Sequence, residues 1–336
     1  MNNLFSTYHF KEDLTLDGGR SFKEKSFDIF QVQSRYNPVY RDYLSHLGVT
    51  NEGVTELTKI PFLPISFFKS HAIKTGDFEP EIYFESSGTT GVQHSRHGVL
   101  SQHAYLMNTV VNFNEFYGNI DGYCVLALLP SYLERGNSSL VAMADYFIKL
   151  SKHPLSGFFL HDIDRLHDVL VKLESAKQPT ILLGVTYALM DFAEKFPIQL
   201  KHTIVMETGG MKGRREEITR AQLHSFLCER LGVENIHAEY GMTELQSQAY
   251  SKGGGWFKNS SSMKVLLRSP DDPFEIWEAD QFPMRTGAVN IIDLANSDTI
   301  SFIATDDLAR FRNDGAFEIT GRMDNCDIRG CSQLAL

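Results

Sequence analysis

The chain has 336 residues, 42% hydrophobic and 22% charged, which is enough for a sizeable core and longer than one ordinary domain; one large domain with an appendage, or two moderate domains, are expected. Its 32 Lys and Arg against 42 Asp and Glu leave a net charge of −10, so no basic footprint for nucleic acid exists and small-molecule substrates fit better. The start lacks a basic stretch followed by an apolar run, and no segment supplies the roughly 18 apolar residues of a membrane span, so a cytoplasmic protein is expected. Cys124, Cys228, Cys326 and Cys331 are too irregularly spaced for a disulfide framework or a paired-cysteine zinc site, which leaves reduced thiols.

Residues 1–80 read as a helical lead-in, with Phe27, Phe30, Tyr36 and Tyr40 at helical spacing. The lead-in ends in the apolar patch from Ile60 to Phe68, where Pro61 and Pro64 exclude a continuous helix. Residues 81–260 read as an α/β core: strands over 123–129, 180–185 and 203–206 alternate with helices over 138–150, 163–175, 186–195 and 214–231. That alternation predicts a mostly parallel sheet covered by helices on both faces, with ligands at the carboxyl ends of the strands. Residues 261–322 read as a smaller β-rich subdomain, with strands at Met263–Leu267, Phe274–Trp277, Ala288–Leu294, Ile300–Ala304 and Ala316–Ile319. Residues 323–336 form a tail.

Chemistry enters at Ser86-Ser87-Gly88-Thr89-Thr90-Gly91, which follows the apolar Ile82-Tyr83-Phe84 and so leaves the end of a strand. Two glycines permit close backbone approach, and hydroxyls with exposed amides can donate to phosphate oxygens. The loop has no Gly-Lys-Ser/Thr ending and is not a Walker loop. By composition alone a solvent-exposed turn is the favoured reading. The segment resembles the Ser/Thr/Gly phosphate-binding signature of the adenylate-forming superfamily of acyl- and aryl-CoA synthetases, luciferase-type enzymes and adenylation domains. Gln93 and His94 stand where many members carry a lysine.

Further motifs follow in that superfamily's order. Glu239-Tyr240-Gly241-Met242-Thr243-Glu244 resembles its Tyr-Gly-x-Thr-Glu motif; the resemblance implies that Tyr240 borders adenine, Thr243 faces the α-phosphate and Glu244 binds magnesium. Glu207-Thr208-Gly209-Gly210 resembles the Gly-rich adenine-side turn, and Lys212 and Arg214 beyond it are candidates for the missing cation, whereas Arg215 reads as solvated. Thr305-Asp306-Asp307-Leu308 resembles Thr-Gly-Asp-Leu, with Asp306 in place of glycine, and implies a ribose-binding Asp307. Gly321-Arg322-Met323-Asp324 resembles Gly-Arg-x-Asp and assigns Arg322 to the nucleotide. The implied fold is the large N-terminal domain of adenylate-forming enzymes, and the implied cofactors are ATP and Mg2+.

Usual members continue for about another hundred residues, a typical small-domain length, into a mobile domain bearing a catalytic lysine, whereas this sequence stops at Leu336. In that respect it resembles LuxE-type acyl-protein synthetases, which activate a long-chain fatty acid and pass it on through a thioester. Ile60-Pro61-Phe62-Leu63-Pro64-Ile65, the Gly209-to-Arg214 block and Asp327-Ile328-Arg329-Gly330-Cys331-Ser332 carry that resemblance. It implies an acyl-accepting cysteine near the carboxyl terminus, for which Cys331 is the candidate and Cys326 the weaker one, and an acceptor protein or acyl reductase as partner. Cys331 reads equally as a small apolar residue on a closing strand. His97 and His103 read as surface histidines rather than acid-base groups. Two alternatives stay open: an acyl- or aryl-CoA ligase of the same superfamily, and a non-catalytic nucleotide-binding scaffold.

Overall fold

The computed structural model describes residues 19–86, 94–130, 137–160, 162–209 and 218–323. The lead-in carries helices α1 (Phe22–Tyr36) and α2 (Pro38–His46). Ser21 and Glu24 form a reciprocal capping box on α1, and Asn37 caps α2 with Pro38 in its first turn, so each start satisfies its orphan amides locally. Phe30 and Tyr40 are buried against Phe302, while Tyr36 is exposed. Around Pro61 and Pro64 the chain forms strand β1 (Leu63–Pro64) and the single-turn helix α3 (Phe67–Ser70) instead of a continuous helix.

Strands β2 (Ile82–Glu85) and β3 (Arg96–Val99) pair antiparallel as a separate hairpin. There follow α4 (Gln102–Tyr117), β4 (Cys124–Leu128), α5 (Ser139–Ser151), β5 (Gly157–Phe158), α6 (Ile163–Ser175), β6 (Thr180–Val185), α7 (Thr186–Lys195), β7 (Thr203–Thr208), α8 (Arg220–Leu231) and β8 (His237–Tyr240). Helix α8 starts at Arg220, later than the expected 214, because Thr219 and Gln222 close a capping box there; 214–217 lie outside the described residues. Strands β5, β4, β6, β7 and β8 are adjacent and parallel, in that order. β4 and β6 are buried along their whole length, as strands covered on both faces must be. From β4 the chain steps outward to β5, then back across β4 to β6, β7 and β8; right-handed crossovers therefore put α5 on one face and α7 and α8 on the other. In open sheets of this kind ligands bind outside the carboxyl ends of the strands where the order reverses, here between β4 and β6.

Beyond β8 the sheet turns antiparallel without a break: β9 (Ala249–Ser251), β10 (Phe257–Asn259), β15 (Phe317–Arg322), β14 (Phe302–Phe311), β13 (Thr286–Asp293), β11 (Met263–Arg268) and β12 (Ile276–Trp277) continue it. The β-rich segment is thus hydrogen-bonded into the same sheet as the α/β core. Two strand expectations change. Phe274–Trp277 shortens to the edge pair Ile276–Trp277, and Ile300–Ala304 becomes a ten-residue strand running through the Thr305-to-Leu308 motif. Asp306 accordingly sits in extended backbone, where a side chain is no burden.

One apolar cluster joins β4, β6 and β7 to helices α4 to α8, with Cys124 at 0% exposure and its thiol pKa raised by burial. A second joins the lead-in helices to the antiparallel strands. Among the described residues no helix is long and apolar enough to cross a membrane.

Candidate functional site

The motif segments gather along one edge of the sheet. The loop after β7 and the turn after β8 leave the carboxyl ends of adjacent parallel strands, and Gly241 to Gln248 is the connection at which the sheet switches from parallel to antiparallel. Asp307 reaches the same place from β14. At its amino-terminal end β14 pairs with β1, through Ile303 and Ala304; from Asp307 onward it pairs with β15. The Thr305-Asp306-Asp307 motif occupies that fork.

Three motif residues meet there. The Tyr240 hydroxyl donates to Asp307 Oδ2 at 2.9 Å, and Arg322 Nε lies 3.4 Å from Asp307 Oδ1. Arg322 stands opposite Asp307 in the β14–β15 register and also bonds Asp306 Oδ2 at 3.2 Å. Tyr240 is 7% exposed, its ring packed against the stacked pair Phe257 and Phe317, and Asp307 is 2% exposed. Burial pushes the Tyr240 hydroxyl well above its usual pKa, with the Asp307 charge adding to it, so Tyr240 stays a donor. Arg268 donates to Thr305 O at the fork at 2.6 Å and to Val289 O, at the register shift between β13 and β14, at 2.9 Å; Thr305 Oγ1 in turn receives the Asp307 amide.

On the neighbouring strands, Gly209 adopts φ +77°, a left-handed conformation that favours glycine, and its carbonyl accepts from Thr186 Oγ1 at the start of α7. Glu207, buried just before it, lies 3.3 Å from Arg220 Nε and 3.6 Å from His224 Nε2. Arg220 also reaches the Ile319 carbonyl, which ties the turn after β7 to the strand bearing Arg322. Glu239, one residue before Tyr240, accepts from Thr208 Oγ1 at 2.6 Å, yet burial raises its pKa to about 7.

Thr243 and Glu244 lie in the turn after β8, with Glu244 1% exposed. Contrary to the surface reading, His97 is also 1% exposed; it sits on the inward face of β3. Its Nδ1 lies 2.8 Å from the Thr243 carbonyl, which can only accept, so Nδ1 carries the proton; Nε2 is 3.0 Å from Thr299 Oγ1. Burial lowers the His97 pKa. Asn296 Nδ2 donates to the Glu244 carbonyl at 2.8 Å. His103 is exposed, as expected.

Of the Ser86-to-Gly91 segment only Ser86 is described: its amide bonds Ser95 O at 3.1 Å, its Oγ accepts from Ser95 N at 3.0 Å, and His94 Nδ1 donates to its carbonyl. Ser87, Gly88, Thr89, Thr90, Gly91, Gly210, Lys212, Arg214, Cys326 and Cys331 lie outside the described residues.

No protein-family model matches the chain, and no curated protein matches it. Solved structures do. The chain is similar to ATP-bound MatB from Rhodopseudomonas palustris, at 18% identity and TM-score 0.52 over 71% of this chain and 47% of that one. It is similar to 2-hydroxyisobutyryl-CoA ligase in the postadenylation state in complex with R3-HIB-AMP, at 14% identity and TM-score 0.64 over 92% of this chain and 68% of that one. A third is O-succinylbenzoate coenzyme A synthetase (MenE) from Bacillus subtilis in complex with ATP and magnesium ion, at 15% identity and TM-score 0.50 over 77% and 56%. The fold is that of the N-terminal domain of adenylate-forming enzymes. This chain spans 47% of MatB and 56% of MenE.

Within that fold, His97, Arg268, Asn296 and Glu239 hold the motif segments in place; the motif reading passed over Arg268 and Asn296, gave Glu239 no role and read His97 as a surface residue. For His97 a signal existed: in a strand, His97 and Val99 point to the face opposite Arg96. Arg268 and Asn296 carry no such signal, because the backbone carbonyls they hold lie at least twenty-one residues away.

Proposed function

We propose that the protein activates a carboxylic acid with ATP to form an acyl-adenylate. The observation that carries this reading is the meeting of Tyr240, Asp307 and Arg322 at the carboxyl edge of an adenylate-forming fold. Asp307 would take the ribose hydroxyls, with Arg322 beside it, and the Gly209 turn would receive the adenine. The substrate carboxylate attacks the α-phosphorus of ATP, forming an acyl–O–P bond while the bond to the β-phosphate oxygen breaks and pyrophosphate leaves. Such a step calls for charge neutralisation and positioning more than for a protein nucleophile. The Ser86-to-Gly91 hydroxyls and Lys212 or Arg214 are the groups proposed to supply it.

Glu244 is the proposed magnesium ligand. Among the described residues no three His, Cys, Asp or Glu side chains converge on a metal position, and Glu244 is the one carboxylate this reading uses. That suits magnesium, which keeps waters and is completed by substrate phosphates. When bound, the ion would neutralise phosphate charge.

The acid is proposed to be a fatty acid and the acceptor a protein thiol. Cys331 as thiolate would attack the acyl carbon, forming a thioester and releasing AMP. Incubation with labelled fatty acid and ATP should leave hydroxylamine-labile label on the protein. Undiminished label in Cys331→Ala would remove Cys331 from the account. Coenzyme A as acceptor is the second reading, favoured by the similarity to two CoA-forming ligases; acyl-CoA made only when CoA is added selects it.

A further inference from the structure

Two side chains with no place in the motifs grip the proposed metal-binding turn at consecutive residues. His97 Nδ1 donates to the carbonyl of Thr243, and Asn296 Nδ2 donates to the carbonyl of Glu244, the next residue. Fixing two consecutive carbonyls fixes both peptide planes, and with them the direction in which the Glu244 side chain leaves the backbone. Neither donor can drift. The His97 ring stands edge-on against Phe68 at 5.5 Å, and its far nitrogen meets Thr299 Oγ1, which also bonds Asn296 Oδ1. The loop carrying Asn296 and Thr299 is anchored by the lead-in: Gln33 Nε2 bonds Asn296 O and Ser297 O at 3.2 and 3.1 Å, and Asn37 Nδ2 bonds Thr299 O at 2.8 Å.

We infer that His97 and Asn296 are positioning residues that aim Glu244 at a nucleotide-bound metal ion, coupling the metal turn to the phosphate-loop hairpin through β3 and to the lead-in helices through the 293–301 loop. The inference rests on the reading of Glu244 as a magnesium ligand. Magnesium requires near-ideal octahedral geometry at short range, so a carboxylate that swings loses much of its value as a ligand, and partners that orient a ligand commonly matter almost as much as the ligand.

The test is calorimetric titration of ATP in excess Mg2+ and again in EDTA, whose ratio of dissociation constants isolates the metal's share of binding. His97→Phe keeps the ring and its contact with Phe68 but removes both hydrogen bonds. It should shrink that ratio by about tenfold while leaving metal-free ATP binding within about twofold, and His97→Gln, which restores a donor, should recover it. Asn296→Ala, read in the same way, tests the second grip and serves if His97→Phe fails to fold. An unchanged ratio, or equal weakening of both forms of ATP, overturns the inference while leaving acid activation standing. A wild-type protein that binds ATP equally with and without Mg2+ removes the magnesium reading of Glu244 itself.

Discussion

Both carboxylate oxygens of Asp307 face partners inside the fold, Tyr240 on one side and Arg322 on the other. A nucleotide ribose would therefore join an organised triad. Asp307→Asn keeps the shape and the Tyr240 contact but removes the charge facing Arg322; we expect ATP affinity measured by calorimetry to fall about tenfold, ~1.4 kcal/mol. Unchanged affinity would take Asp307 out of the site. Glu239 makes a separate prediction in stability. Burial raises its folded pKa to about 7 from 4.5, so the folded state favours the protonated form. Its contribution is fully present below pH 4.5 and is lost as pH rises through about 7, a change of roughly 3 kcal/mol at most. Glu239→Gln should therefore gain stability over wild type in urea unfolding at pH 8 relative to pH 5. Parallel pH profiles for the two proteins would contradict this.

At the scale of elements, Gly184 is the penultimate residue of β6, just before α7, and a Cβ there would stand 2.7 Å from Leu189 Cγ and 3.4 Å from Leu128 Cβ. Both neighbours are buried, so Gly184→Ala should cost about 1–3 kcal/mol in thermal or urea unfolding by pushing α7 off the sheet. Thr219→Ala removes the α8 capping box and should cost about 1 kcal/mol. Elements whose apolar period is uninterrupted were legible: α6 at 163–175, β6 at 180–185 and α7 at 186–195 have the bounds their patterns imply. β14 was cut short because Thr305, Asp306 and Asp307 read as a polar break. In the fold Thr305 and Asp307 are inward-facing strand positions whose polarity is satisfied by Arg268, Tyr240, Arg322 and the Val289 carbonyl. A linear pattern cannot show partners supplied by other strands.

For the whole molecule, the sequence carried the order of the motifs but not what joins them. Tyr240, Asp307 and Arg322 were each legible as single residues; their meeting depends on the β14 fork and on one sheet running from β5 to β12, neither of which any local signal announces. The lead-in, expected as a helical preface, is bonded through Gln33 and Asn37 to the loop that reaches Glu244. Ligand binding should accordingly stabilise the protein as a unit. MgATP at about a hundred times its dissociation constant should add about 2.7 kcal/mol, read as a rise in melting temperature.

Acid-dependent exchange of labelled pyrophosphate into ATP, screened over fatty and aryl acids, tests acid activation most directly. The account predicts exchange that requires Mg2+ and one class of acid, and that falls sharply in Glu244→Gln. ATP binding with no exchange for any acid in the panel would contradict it and favour a nucleotide-binding scaffold.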